Sequence, residues 1–314
     1  MAKLVDALAL GASGAILESS SLSVRTQKTF KFMINFLHSF NPQPILASFG
    51  SLHIYWYGLF MVSSISAGLF VTIKLAKHYK ILSETIIDLG FWAIISGLVG
   101  ARIYDCFLNF EYYLHNPLDV FKIWQGGLAI HGALIAGLIV FFVFIKKYAK
   151  QNSLNFKNEF WKIASIIVPG VALGQAIGRW GNYFNQELFG LPTNLPWSIP
   201  INLLNRPLEY ISNDFFHPTF FYESLGSLLI FLVLIGAQTY LIKKNKQNYK
   251  NYVIITGSYF ILYSILRFSL EFIRIDSAPA LYGWRWPQII SLIIIITFTI
   301  IMIKTIFYDR TQTK

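Results

Sequence analysis

Apolar residues fall in seven runs along this chain, at about 54–75, 86–108, 127–146, 160–178, 218–242, 252–272 and 287–308. Each is close to the ~20 residues a helix needs to cross the hydrocarbon core of a bilayer. The polar intervals between them are short. The longest, about 179–217, is rich in Asn, Pro and aromatic residues and reads as a small cap rather than a domain. The pattern predicts an all-α fold: a polytopic membrane protein with seven transmembrane helices and a small outward-facing cap segment. Seven runs of this length argue against a soluble protein with buried core helices.

The ends of the chain read differently. Residues 1–32 hold no long apolar run and lack the charged, apolar and small-residue regions of a signal peptide. They read as a disordered extension or as a start called too early, ahead of Met33; the second reading is preferred. Residues 33–53 form an outer interfacial segment, where Phe36, Leu37 and Phe40 suit a short interfacial helix. Residues 54–308 are the seven-span domain, and 309–314 a cytoplasmic tail.

Charge orients the spans. Of 314 residues, 55% are hydrophobic and 13% charged, against about a quarter charged in an average soluble domain. The net charge of +11 is unevenly placed. Lys74, Lys77 and Lys80 follow the first run, and Lys146, Lys147, Lys150 and Lys157 the third. Lys243, Lys244, Lys246 and Lys250 follow the fifth, and Lys304, Arg310 and Lys314 the seventh. Alternate loops are therefore expected in the cytoplasm, with the start of span one outside and the C-terminus inside. This spacing marks orientation and anionic-lipid contact, not nucleic-acid binding. The single cysteine, Cys106, forms no internal disulfide and suits a small buried hydrophobe. The chain has no HExxH, no Gly-rich phosphate loop and no internal repeat, so neither a metal nor a cofactor is expected.

Polar residues near the spans converge on the outer side. Ionisable groups within a membrane are costly, so each is a candidate for function. Tyr57 opens span one, Arg102 and Asp105 close span two, and His131 lies a turn inside span three. Arg179, Asn182 and Glu187 follow span four, His217 and Glu223 open span five, and Tyr263, Arg267, Glu271 and Arg274 end span six. That last set has helical spacing and would form one stripe. Arg102 with Asp105 reads equally as a packing pair or as part of a site. Gly126, Gly127 and Gly132 suit close helix contact. Trp56, Trp124, Trp180, Trp284 and Trp286 look like an interfacial belt. Arginines with Asn, Gln and His at outer-leaflet depth suit a phospholipid headgroup, because a guanidinium binds phosphate through two N–H groups and keeps its charge. No side chain stands out as a nucleophile, so the attacking group is expected on a second substrate.

The segment Gly178–Gly190, GRWGNYFNQELFG, resembles the signature of the bacterial prolipoprotein diacylglyceryl transferases, with Tyr183 in place of the usual Phe. Trp56-Tyr57-Gly58, Gly100-Ala101-Arg102 and Gly126-Gly127 with His131-Gly132 are similar to further motifs of that family; Ala133 stands where a second Gly is usual. His217-Pro218 with Tyr222-Glu223, and Arg267-Phe268 with Glu271, match in the same order. Ser165 lies where the family often has an acidic residue.

The resemblance covers about 45–300. It implies transfer of diacylglyceryl from phosphatidylglycerol to the lipobox cysteine of a preprolipoprotein in the bacterial inner membrane, with loss of glycerol phosphate. It also implies roles. Arg179 would bind the lipid phosphate, in a pocket shaped by Asn182, Asn185, Glu187 and Gly190, with Arg102 as a further contact. His131, with Tyr57 nearby, is a candidate base. Arg267, held by Glu271 near Tyr263, would stabilise the leaving phosphate. The residue that takes the thiol proton stays open. No nucleic acid is expected as a partner, and a monomer is favoured. A transporter would need polar residues through both leaflets, whereas the cytoplasmic halves read as nearly bare; a polyisoprenyl-phosphate transferase fits the ordered motifs less well.

Overall fold

Each of the seven apolar runs forms one long helix in the computed structural model, which describes residues 34–35, 38–50 and 52–312. In chain order the elements are β1 (Ile45–Phe49), β2 (Leu52–Tyr55), α1 (Trp56–His78), α2 (Ser83–Leu108), the short α3 (Phe110–His115), α4 (Ile130–Gln151) and α5 (Phe156–Phe184). Then come β3 (Ile199–Pro200), β4 (Phe215–Phe216), α6 (Thr219–Lys243), α7 (Tyr249–Leu270), β5 (Ala280–Leu281), β6 (Trp284–Arg285) and α8 (Trp286–Gln312). The reading of residues 1–32, and Met33, Phe36 and Leu37 beyond it, lie outside the described residues. Phe40 is not in a helix.

Side-chain chemistry explains the helix limits. Asn155 and Asn248 start α5 and α7, each accepting a hydrogen bond from the backbone three residues on, at 3.1 and 3.0 Å. The third run starts three residues later than its apolar stretch because Gly126 and Gly127 adopt φ of 94° and 71°, which breaks the helix before Ile130. The sequence reading missed three small antiparallel hairpins, β1–β2, β3–β4 and β5–β6. Each has at most five residues per strand, too few to show a clear period-two pattern.

Small residues let the helices cross closely. Helix α1 runs antiparallel along α5, where a Cβ on Gly170 would meet the Gly68 carbonyl oxygen at 2.5 Å. Helices α2 and α4 cross the same way: a Cβ on Gly100 would meet the Gly132 oxygen at 2.6 Å. The core falls into three clusters. Leu75, Ile86, Ile145, Ile163 and Ile166 fill one end of the bundle. Ala172, Ile230, Leu234 and Tyr259 join α5, α6 and α7. Tyr183, Phe189, Phe216 and Phe220 fill the cap. Ile103, Ile293 and Ile296 point outward, as lipid-facing residues do. A cavity of about 470 Å³ separates α1 and α5 from α2 and α4, lined almost wholly by apolar side chains.

Candidate functional site

The polar residues gather at the end of the bundle where α1, α4 and α6 begin and α2, α5 and α7 finish. Tyr57 and Gly181 meet there: a Cβ on Gly181 would lie 2.9 Å from the Tyr57 ring. Gly178 faces Ser64, which lines the outer part of the cavity. Tyr57, Ser64 and Gly68 lie seven and four residues apart, on one face of α1. His131 precedes Leu134, Leu138 and Phe141, all cavity-lining, at helical spacing. Tyr57, His131 and the Arg179 segment lie beyond the cavity's lining, toward the polar end of the bundle, with Tyr57 and His131 on the helix faces that continue into it. His131 is exposed, with its ring 5.9 Å from that of Tyr104, and makes no hydrogen bond or ion pair among the described residues.

Charged groups at this end form a ribbon. Arg179 Nη2 lies 2.6 Å from Glu223 Oε1, and the Tyr263 hydroxyl donates to the same oxygen at 3.0 Å. Glu223 Oε2 faces Arg274 at 3.8 Å, and Arg274 Nε donates to Asp276 at 2.7 Å. Asp276 faces Arg285 at 3.9 Å, Arg285 Nε lies 3.0 Å from Glu271 Oε1, and Glu271 Oε2 lies 2.7 Å from Arg267. The order is thus Arg179, Glu223, Arg274, Asp276, Arg285, Glu271, Arg267. Four guanidiniums alternate with three carboxylates, and an arginine stands at each end.

The acids Glu223 and Glu271 are each only 2% exposed, whereas the Arg179 side chain keeps 24% of its surface open. Arg267 and Glu271 pair by distance but off the hydrogen-bond axis. Burial alone would raise the Asp276 pKa; the hydrogen bond from Arg274 and the charges of Arg274, Arg285 and Arg267 outweigh it and hold this carboxyl below its usual range.

A hydrogen-bonded loop supports Arg179. Its Nη1 points at Asn182 Oδ1, 3.4 Å away, and Asn182 Nδ2 donates to Glu187 at 2.7 Å. Asn185 reaches the same Glu187 oxygen at 3.5 Å. Gln186 and Leu188, on either side of Glu187, take φ of 52° and 55°, a left-handed conformation that costs roughly 1–3 kcal/mol for such residues. Gln186 offsets this with hydrogen bonds to Asn41, Pro42 and Asn202. Gly190 joins the loop to the turn after α7: its N–H donates to the His217 carbonyl at 2.9 Å, and it bridges to Arg274. A Cβ there would meet Ile273 O, His217 and Thr219 within 2.9 Å. Nearby, burial holds the His217 pKa below its ordinary value, and its Nδ1 lies 3.2 Å from the Tyr222 hydroxyl.

Two expectations change. Arg102 is committed to the 117–127 loop: Nε donates to Val120 O at 2.9 Å, Nη1 to Gly126 O and Gly127 O at 2.8 and 2.9 Å, and Nη2 to Asp119 O. Arg102 also pairs with Asp105 at 3.8 Å, as a packing pair would, and none of these residues belongs to the ribbon. The stripe at the end of span six also divides, because α7 stops at Leu270. Tyr263 turns to Glu223, Arg267 to Glu271, and Arg274 folds back on Glu223 from beyond the helix. Arg285, Asp276, Arg274 and Glu223 had no assigned role. A carboxylate in an apolar span was signal enough for Glu223. Arg285 was hidden between two tryptophans that read as belt residues. The opposite end is less bare than expected: Glu159 pairs with Lys162 at 2.7 Å, and fully buried Gln238 bonds Tyr79 and the Ser165 carbonyl.

Comparison with known proteins gives a consistent picture. The sequence pattern described as prolipoprotein diacylglyceryl transferase matches residues 44–304. The phosphatidylglycerol–prolipoprotein diacylglyceryl transferase of Synechocystis sp. is 39% identical over 82% of this chain and 88% of its own length. That of Synechococcus elongatus is 38% identical over 81% of this chain and 84% of its own. That of Finegoldia magna is 41% identical over 81% of this chain and 92% of its own.

Proposed function

We propose, because this chain belongs to the prolipoprotein diacylglyceryl transferase family, that it moves the diacylglyceryl group of phosphatidylglycerol onto the lipobox cysteine of a prolipoprotein. This is the first step of lipoprotein maturation. The observation that carries the site assignment is the ribbon: an arginine at each end, with 24% of the Arg179 side chain open, at the polar end of a bundle that holds an apolar cavity. Its unbalanced positive charge matches the single negative charge of a phosphodiester, although Glu187 stands to one side. The apolar cavity suits acyl chain, and the polar end of the bundle suits headgroup.

In the reaction, the cysteine sulfur bonds to the diacylglycerol carbon that carries the phosphoester oxygen. That carbon–oxygen bond breaks, and its electron pair leaves with glycerol phosphate. The thiol proton passes to a base at the polar end of the bundle, for which His131 is the candidate, with Tyr57 at the same end. A free thiol has a pKa near 8.5, so a base or a positive field raises its thiolate fraction. Arg179 grips the lipid phosphate, with Asn182, Asn185 and Glu187 fixing its loop and Gly190 seating that loop on α6. Arg267, held by Glu271, meets the charge that develops on the leaving phosphate. Tyr263 steadies Glu223, and Arg102 acts through the loop it holds. One copy of the chain is enough for this reading. The membrane is the bacterial inner membrane, with the polar end outward.

Reconstitution with phosphatidylglycerol and a lipobox peptide, read by mass spectrometry, tests the reaction: a diacylglyceryl adduct is expected, and its absence from folded protein would remove the reading. The two arginines should separate kinetically. Arg179→Ala should raise the phosphatidylglycerol requirement. Arg267→Ala should cut turnover at saturating lipid, by about a hundred- to a thousandfold if a charge-assisted contact is lost. Near-normal turnover by folded Arg267→Ala would exclude that role.

A further inference from the structure

Glu271 is shared. Arg285 Nε lies 3.0 Å from one carboxylate oxygen and Arg267 Nη1 lies 2.7 Å from the other, both as ion pairs off the hydrogen-bond axis. A carboxylate facing a lone guanidinium tends to take it through both oxygens, in a parallel fork. Here Arg285 stands against the second oxygen instead. It is well anchored for the purpose: Nη1 donates to Arg274 O at 2.6 Å and to Glu271 O at 3.3 Å, and Nη2 to Asp276 O. Arg267 is left with one Glu271 oxygen and most of its donors free.

We propose that Arg285 is a positioning residue for Arg267. By holding Glu271 on one oxygen, it keeps Arg267 singly paired, so that its charge and remaining N–H groups face an anion. The anion is a phosphate ester whose charge grows during the reaction. This rests on the reading of Arg267 given above. Without Arg285, Glu271 is free to swing onto Arg267 with both oxygens. The guanidinium stays in place but is neutralised by its neighbour. Arg285 also ties the carbonyls of the 271–276 turn, so its loss has a structural component that the test must separate.

The test uses full-length protein in nanodiscs, with transfer rate measured against phosphatidylglycerol concentration. Arg285→Met keeps the stem and removes the charge. It should lower kcat by roughly tenfold to a hundredfold, less than loss of a direct contact to the transition state, with little change in KM for the lipid. Adding Glu271→Gln to Arg285→Met should restore part of kcat, because the carboxylate that captures Arg267 is gone. In an Arg267→Ala background, Arg285→Met should have almost no further effect. A double variant slower than Arg285→Met, or losses that multiply independently, would overturn the proposal and leave Arg285 as a loop anchor. If Arg285→Met does not fold, Arg285→Lys decides: most of kcat should survive with a lower unfolding temperature, and a kcat collapse in folded protein would count against it. Normal turnover by Arg267→Ala alone would instead remove the underlying reading of Arg267.

Discussion

Glu223 sits in an apolar helix with 2% of its surface exposed, and it answers three groups at once: Arg179, Tyr263 and Arg274. A buried charge of this kind holds geometry more than it adds stability, and its removal strands its partners. Glu223→Gln keeps the shape and an acceptor for Tyr263 but strips Arg179 of its counter-charge and leaves Arg274 with Asp276 alone. Breaking such a pair costs about 3–5 kcal/mol. The variant should unfold several degrees lower and transfer poorly, as thermal unfolding in detergent and the transfer assay would read. Unchanged stability and rate would mean that Arg179 is positioned by Asn182 alone. The pattern along the chain marked Arg179, Asn182 and Glu187 as a group and Glu223 separately, but not that this carboxylate, 44 residues on, fixes the arginine.

At the scale of elements, the cap is joined to the bundle through a backbone seam. Gly190 bonds to His217, Leu191 to Ile273 and His217 to Leu191, at 2.8 to 3.0 Å. These bonds bring the loop after α5, the start of α6 and the turn after α7 to one point. Gly190→Ala would press a methyl group into a backbone carbonyl and two packed side chains, which have little room to yield. The expected result is a strong loss of transfer with the helical bundle intact. Circular dichroism should show near-normal helix content, while protease cleavage within 191–215 should quicken. Full activity would show that the seam is not needed to align the loop. Gly126 and Gly127 work similarly on α2: with positive φ, both carbonyls reach Arg102, which holds the 117–127 loop against the end of that helix.

For the whole molecule, the orientation argued from lysine placement gives a direct expectation. Asn152 lies in the loop between α4 and α5, at the basic end of the bundle, and Leu208 in the cap, where it is 87% exposed. In a Cys106→Ser background, Leu208→Cys should react with an impermeant thiol reagent in cells with a permeable outer layer. Asn152→Cys should react only after lysis. The opposite pattern would reverse the membrane orientation and place the ribbon in the cytoplasm.

The sequence by itself determined the number of spans, their order and the end at which the polar residues meet. These follow from run length and from where lysines fall, both local properties of the chain. It also brought out the signature loop, because its polar residues interrupt an apolar pattern. The pairing within the ribbon was decided only by the fold. Ion pairs such as Arg179–Glu223 and Arg285–Glu271 join residues from different elements, and helical spacing carries no information about partners across helices. Arg102 shows the same limit: it does pair with its sequence neighbour Asp105, at 3.8 Å, but its hydrogen bonds go to carbonyls up to 25 residues away. The end of α7 at Leu270 was tertiary too. The next turn is drawn off the helix by Leu191 and Arg285, which hydrogen-bond its carbonyls, and that turn places Arg274 against Glu223.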